Sequence, residues 1–265
     1  KKIIMNINIK YSEMQKKKAK LKHRKITPKN YYLYKHLKRA NAFKKSVYIN
    51  KYFWITYLLS IIIISTKYGI HKSTMTNIYI GILFSAIAIA NSWLIHFLSH
   101  NIDLERIFLE ILSKYNIKLN KNLHKAIILI IRYTYDFHDK IHHDSTINKK
   151  WYNIIIEFCQ NVLQVLTIVA VAKLLHYKID NTVLFLWGLI YATVHQINYE
   201  IIDNRHHREH HMNNHTNYGI DTADIIFNSK YNLNDLEHMN HASINIVLST
   251  LFIFVIKHMM RYRKQ

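Results

Sequence analysis

A chain of 265 residues, half of them hydrophobic, with only four glycines and one proline, is too poor in turn formers for a many-stranded fold and suits long helices. Its formal net charge of +21 is unevenly spread: residues 1–51 carry 17 Lys or Arg against a single acid, Glu13. The lone cysteine, Cys159, excludes a disulfide framework and a thiolate metal site.

Residues 1–51 form the first expected unit, a basic arm with MQKKKAKLKHRK at Met14–Lys25 and HLKRANAFKK at His36–Lys45. Nucleic acid would attract such charge. An apolar segment follows at once, however, which favours a cytosolic juxtamembrane tail on an anionic leaflet and makes nucleic acid an unexpected partner. No cleavable signal is expected, because the first strongly apolar run begins near Tyr52, too far in and too long. Residues 52–265 form the second unit, embedded in the membrane. Tyr52–Tyr68 is uncharged until Lys67 and reads as a first span. Asn77–Leu98 is the cleanest, with about twenty apolar residues, enough to cross a hydrocarbon core of about 30 Å. The short linker between them returns the chain to the side of the basic arm, the cytosol by the positive-inside rule.

Asp103–Tyr115 has apolar residues at Leu104, Ile107, Phe108, Ile111 and Leu112, a helical stripe suited to an interface. Leu123–Phe137 is more apolar but short for a span. Tyr152–Leu175, with one acid at Glu157, reads as a third span and Thr182–Tyr199 as a fourth. Ala242–Ile256 is apolar but short, so it is expected to lie at the interface, re-enter or pack on the bundle, leaving a cytosolic basic end. The expected fold is an all-α integral membrane protein with about four transmembrane helices and a cytosolic histidine-rich helical cap, both termini being cytosolic.

Histidines collect where these apolar segments end: His96 and His100, then His138, His142 and His143, then His195, then five within Arg205–Tyr218. Imidazole is neutral enough near pH 7 to ligate a metal and is expensive to bury without a partner. Residues i and i+4 share a helix face, as His96/His100, His138/His142 and His207/His211 would. An isolated histidine at a helix end is an ordinary interfacial residue, which is the reading for His23, His36, His71, His124, His176 and His258. Three clusters gathered at one membrane face point instead to a shared site, with more imidazoles than one ion can use.

HFLSH at His96–His100, HDKIHH at His138–His143 and HREHH at His207–His211, followed by NYG at Asn217–Gly219 and DIIF at Asp224–Phe227, resemble the fatty acid hydroxylase/sterol desaturase superfamily over about residues 85–245. The resemblance implies a membrane-bound enzyme with two irons, replaceable by zinc in a purified form. It implies that His96, His100, His138, His142, His143, His195, His207, His210 and His211 are metal ligands. It implies a reaction in which O2 and two electrons hydroxylate or desaturate a C–H bond of a lipid: sterol, fatty acyl or related. The sequence carries no Gly-rich flavin or nicotinamide turn, and the resemblance implies an external donor, a b-type cytochrome with its reductase, and residence in the endoplasmic reticulum of a eukaryotic cell.

The sequence departs from the family pattern in places. Tyr199 stands where many members have a second histidine after the fourth span, which leaves His206, His215, His238 or His241 to fill that role. The doubled phase of HHREHH leaves the third box uncertain by one residue. Asn228 stands where glycine is usual. A catalytically degenerate relative, or a non-enzymatic metal-binding membrane protein, is therefore the alternative. A transporter is disfavoured, because spans two and four are charge-free, and NYG and DIIF favour the hydroxylase group over the related acyl desaturases. Glu200, Asp203, Glu209, Asp144 and Asp224 are the carboxylates expected to orient imidazoles through the second ring nitrogen.

Overall fold

The computed structural model describes residues 28–262 except 145, 180 and 203, with side chains from residue 32 onward other than those of 199, 200 and 262. Most of the basic arm therefore lies outside the described residues, as do the side chains of Tyr199 and Glu200 and the whole of Asp203. Every described element is a helix. In order they are α1 (Pro28–Ile49), α2 (Lys51–Tyr68), α3 (Thr74–Asn101), α4 (Leu104–Lys114), α5 (Lys121–Tyr133), a π-helical turn (His138–His142), α6 (Trp151–Leu163), α7 (Leu166–Leu174), α8 (Asn181–Val194), a second π-helical segment (His195–Ile201), α9 (Arg205–Met212), α10 (Asp221–Phe227) and α11 (Ser243–Tyr262). Contacts divide the chain into two compact units, Lys1–Ala42 and Phe43–Gln265. The described part of the first is helical.

Among the described residues, three helices are long and apolar enough to cross a membrane: Thr74–Asn101, Trp151–Leu174 and Asn240–Arg261. A fourth arises if Tyr32–Ile49 and Lys51–Tyr68 count as one broken span. The core lies where α2, α3, α8 and α11 meet, and α8 is its axis: Val183, Leu184, Leu186, Trp187, Ile190 and Ala192 are all buried. A helix apolar on all sides belongs at the centre of a bundle. Its Trp187 Nε1 donates to Ser92 Oγ on α3 at 2.7 Å, which satisfies the one polar atom the indole brings inside. Glycines set the closest approaches. A Cβ on Gly188 would stand 2.5 Å from the Val162 carbonyl, so α8 packs nearly on the α6 backbone, and one on Gly81 would run into the Ser65 side chain of α2.

The expected fourth span is thus a 14-residue α-helix continued by a π-helical segment, surrounded by other helices rather than exposed along its length. The last apolar run is also longer than its composition suggested: α11 has 20 residues and is itself a candidate span, where Ala242–Ile256 had been expected to be too short. Helix propensity carries it through His258, Met259 and Met260, beyond the purely apolar stretch. Its start is pinned beside the start of α2, because Asn50 Oδ1 accepts from Met239 N at 2.7 Å and Asn240 Nδ2 donates to Ile49 O at 2.6 Å. Farther along, the Tyr68 and Phe254 rings lie 5.4 Å apart, and Arg261 sits over Tyr68 at 5.4 Å. The two helices therefore run parallel. By residue 261 the chain has reached the end of the bundle away from the histidines, not the histidine end expected for the C-terminus.

Helices α4 and α5 bury no residue. They are joined by Arg132, whose Nη2 donates to Glu105 Oε1 at 2.7 Å, and leave Leu109, Ile111, Leu129 and Ile130 exposed, as amphipathic helices at an interface do.

Candidate metal centre

The histidines converge at one end of the bundle through four local devices. In α3 the i, i+4 spacing places His96 and His100 on one face. His138, His142 and His143 occupy a π-helical turn in which His143 N donates to His138 O at 3.2 Å. That wider i→i+5 winding lets a histidine and both members of the following pair face one way, which an α-helix would not allow. His195 opens the second π-helical segment at the end of α8. In α9, capped by Asn204, whose Oδ1 accepts from His206 N at 3.0 Å, His207, His210 and His211 turn inward.

All nine histidines singled out in the sequence lie in one cluster, organised as overlapping groups: His96, His100, His138 and His210; His138, His142 and His143; His142, His207 and His211; and His142 and His195 with Glu157. His210, with no exposed surface, is the hub of the first. Its Nε2 lies 3.0 Å from Nε2 of His96, 3.1 Å from that of His100 and 3.5 Å from that of His138. In the third, His211 Nε2 lies 2.7 Å from His207 Nε2 and 3.1 Å from His142 Nε2. His143 lies between the groups, its ring stacked on His211 with centroids 4.1 Å apart.

The outward ring nitrogens meet oxygen. His210 Nδ1 donates to the Thr216 carbonyl at 2.7 Å. Glu157 Oε1 lies 3.0 Å from Nδ1 of both His142 and His195, and Asp139 Oδ1 lies 3.4 Å from His100 Nδ1. Such acceptors place the hydrogen on Nδ1 and leave a lone pair on Nε2. The inward Nε2 lone pairs of His100 and His210, and those of His142 and its group, then confront one another with no proton between them. A cation relieves that repulsion. Two imidazoles on one ion, with arms of about 2.0–2.1 Å, stand about 3 Å apart, which is the spacing found. Burial, reinforced by neighbouring imidazoles, holds His138, His207 and His210 well below the ordinary histidine value and lowers His211 to about 4. The rings are thus neutral, in the form that ligates.

The loop after α9 explains the NYG and DIIF patterns. Asp224 accepts from Tyr218 N at 2.9 Å, Gly219 N at 3.2 Å and Ser229 Oγ at 2.6 Å. Asn217, in the left-handed region at φ 55°, donates through Nδ2 to His206 O at 3.2 Å. The turn presents the Thr216 carbonyl to His210 and sets the Tyr218 ring 5.5 Å from that of His96. Burial raises the Asp224 carboxyl to about 7. Asn228 is also left-handed, at φ 64° and ψ 29°, closing α10. Asparagine is the side chain that best substitutes for glycine in that conformation, so Asn228 closes the helix without strain.

Other candidates lie elsewhere. His206 Nδ1 faces Lys230 Nζ at 3.0 Å, and His241 Nε2 faces Asn198 Oδ1 at 2.8 Å. His215 is exposed and, like His238, belongs to none of the groups. Of the carboxylates expected to orient imidazoles, Glu209 pairs with Arg205, Asp144 accepts from Thr146, and Asp224 holds the turn. Among the described residues, the carboxylates that meet the clustered rings are Glu157 and Asp139. Glu157 carried one signal, a lone acid in an otherwise uncharged apolar run.

The fold and the cluster define a helical protein with three to four candidate membrane spans and a buried histidine centre able to hold metal. No family model, curated protein or solved structure matches the chain.

Proposed function

We propose that the protein is a membrane-bound, two-iron oxidoreductase that hydroxylates or desaturates a C–H bond of a lipid, consuming O2 and two electrons. The observation that carries this reading is the pair of Nε2 groups backed by Glu157, Asp139 and the Thr216 carbonyl, buried at the end of an apolar helical bundle. His96, His100, His138 and His210 would hold one iron, and His142, His207 and His211 the other, with His143 between them and His195 oriented by Glu157. Iron supplies the oxidising power that no side chain has. The chain's own residues do the rest. Glu157 and Thr216 keep hydrogen on the outer ring nitrogens, the buried rings exclude water, and the bundle receives a water-insoluble substrate.

The ligands are nearly all nitrogen, which suits iron and zinc alike. Zinc has no redox chemistry and would fill the site of a purified protein without supporting the reaction. Electrons come from a separate b-type cytochrome and its reductase. The positive-inside rule applied to the basic arm supports a cytosolic histidine end, with the endoplasmic reticulum as the compartment in a eukaryotic cell.

The test is incubation of the iron-loaded protein with a lipid extract and a reductant, with and without O2, followed by mass spectrometry. Lipids that gain one oxygen atom or lose two hydrogens, only when iron, O2 and reductant are all present, support the reading. Full iron loading with no product from any lipid class supports the degenerate relative instead.

A further inference from the structure

Two cavities touch the histidine cluster. The one beneath Tyr218 and Trp187 has a volume of about 30 Å³, room for a water and no more. The other, about 380 Å³, is a cleft between α3, the segment after α5, α6 and α7, and falls within the range of about 300–1,000 Å³ usual for small-molecule sites. His96, His138 and Glu157 lie on its wall. At its mouth Thr134, Leu163 and Thr167 are exposed on the side of the bundle. Leu163 and Thr167 belong to an apolar helix pair long enough to cross a membrane, so the mouth faces lipid.

The α6–α7 side of this cleft is unexpectedly polar. Glu157, Gln160, Asn161, Gln164 and Thr167 recur at helical spacing and form a stripe running roughly 15 Å away from the centre at 1.5 Å per residue. Helix packing accounts for most of them. Gln160 Nε2 donates to Tyr133 O at 2.9 Å, Gln164 Nε2 to Asn161 O at 2.9 Å and Thr167 Oγ1 to Asn91 Oδ1 at 2.9 Å. Asn161 is the exception. Among the described residues its carboxamide makes no hydrogen bond at either end, and its Nδ2 is shut off from solvent. An unsatisfied amide inside a membrane segment is expensive, and a polar group there marks a functional position. No Lys or Arg lines the cleft.

Resting on the lipid-oxidase reading, we infer that this cleft admits the substrate sideways from the bilayer and that Asn161 hydrogen-bonds a neutral oxygen, a hydroxyl or carbonyl, on the lipid. A carboxylate, phosphate or thioester-linked nucleotide head finds no cation there. Asn161 lies about one helical turn from Glu157, roughly 6 Å.

The experiment uses full-length, zinc-loaded protein in lipid nanodiscs, so that no turnover is needed. The probe is a long-chain alcohol bearing a photoactivatable diazirine, with the fatty acid of the same length as comparison. Labelled peptides are mapped by mass spectrometry, and zinc content is read on the same sample. The alcohol should label the segment 160–167 and the acid should not. Asn161→Leu should cut that labelling about five- to tenfold, the scale of one lost neutral hydrogen bond, while zinc content stays unchanged. Asn161→Gln should restore part of it. Equal labelling in Asn161→Leu with zinc bound, or equal labelling by acid and alcohol, overturns the inference and leaves the metal reading standing. Alcohol labelling that depends on Asn161 in protein that binds no metal supports the lipid site and removes the oxidase reading.

Discussion

Glu157→Gln is the most informative single change, because it alters one atom and nothing of the shape. In the native protein one buried carboxylate oxygen stands 3.0 Å from Nδ1 of both His142 and His195. A glutamine oxygen in the same place can still accept from both rings but carries no charge, so it holds the hydrogens on Nδ1 less firmly and makes the rings poorer donors to a metal. Loss of such an orienting partner weakens metal affinity about 10–100-fold, or about 1.4–2.7 kcal/mol. The effect is confined to the group of His142, His207 and His211. Around His210 the orienting acceptors are Thr216 O and Asp139, which the substitution leaves alone. Titration of metal-free protein against a buffered metal series should therefore show two classes of site in the variant, one native and one weakened. Glu209→Gln, on the same end of the bundle but paired with Arg205, should show none of this. An unchanged titration for Glu157→Gln, or equal weakening of both classes, would refute the division into two groups.

Other consequences are direct. His210→Ala removes the ring shared by His96, His100 and His138 and should empty that site, whereas His206→Ala, whose ring faces Lys230, should retain full metal by elemental analysis. Asp224→Ala strands the buried N–H groups of Tyr218 and Gly219, at about 1–3 kcal/mol each, and should lower the thermal unfolding midpoint. Asp224→Asn should be the milder change at neutral pH, because burial already holds the carboxyl near half protonation there. Since α11 runs parallel to α2, a reporter cysteine at Arg261 and one at Thr146 should react with an impermeant thiol reagent from opposite sides of the membrane. Reaction from one side would show that α11 does not cross.

Apolar runs and histidine spacing were legible in the sequence because each is a local pattern. Asn77–Leu98 and Tyr152–Leu175 coincide within a few residues with α3 and with α6–α7, and the nine histidines that the resemblance implied as ligands meet in space. What surrounds an apolar run is not local. Thr182–Tyr199 is as apolar as a lipid-facing span, yet α8 is the axis of the bundle. Ala242–Ile256 was measured by hydropathy alone, and its helix continues to Tyr262. The π-helical winding at His138–His142 has no pattern that announces it, although it is what lets His138, His142 and His143 act together. Glu157 was visible as a lone acid, but its partners sit 15 residues before it and 38 after it in the chain, and only the packing of α6 against α8 brings them together.

The central claim is tested most directly by the metal content of the purified protein. Prepared anaerobically with iron in excess, it should carry about two irons per chain, and the triple variant of His138, His142 and His143 to alanine should carry none. Protein that folds but holds no stoichiometric metal, or a triple variant that holds as much as the native chain, would contradict it.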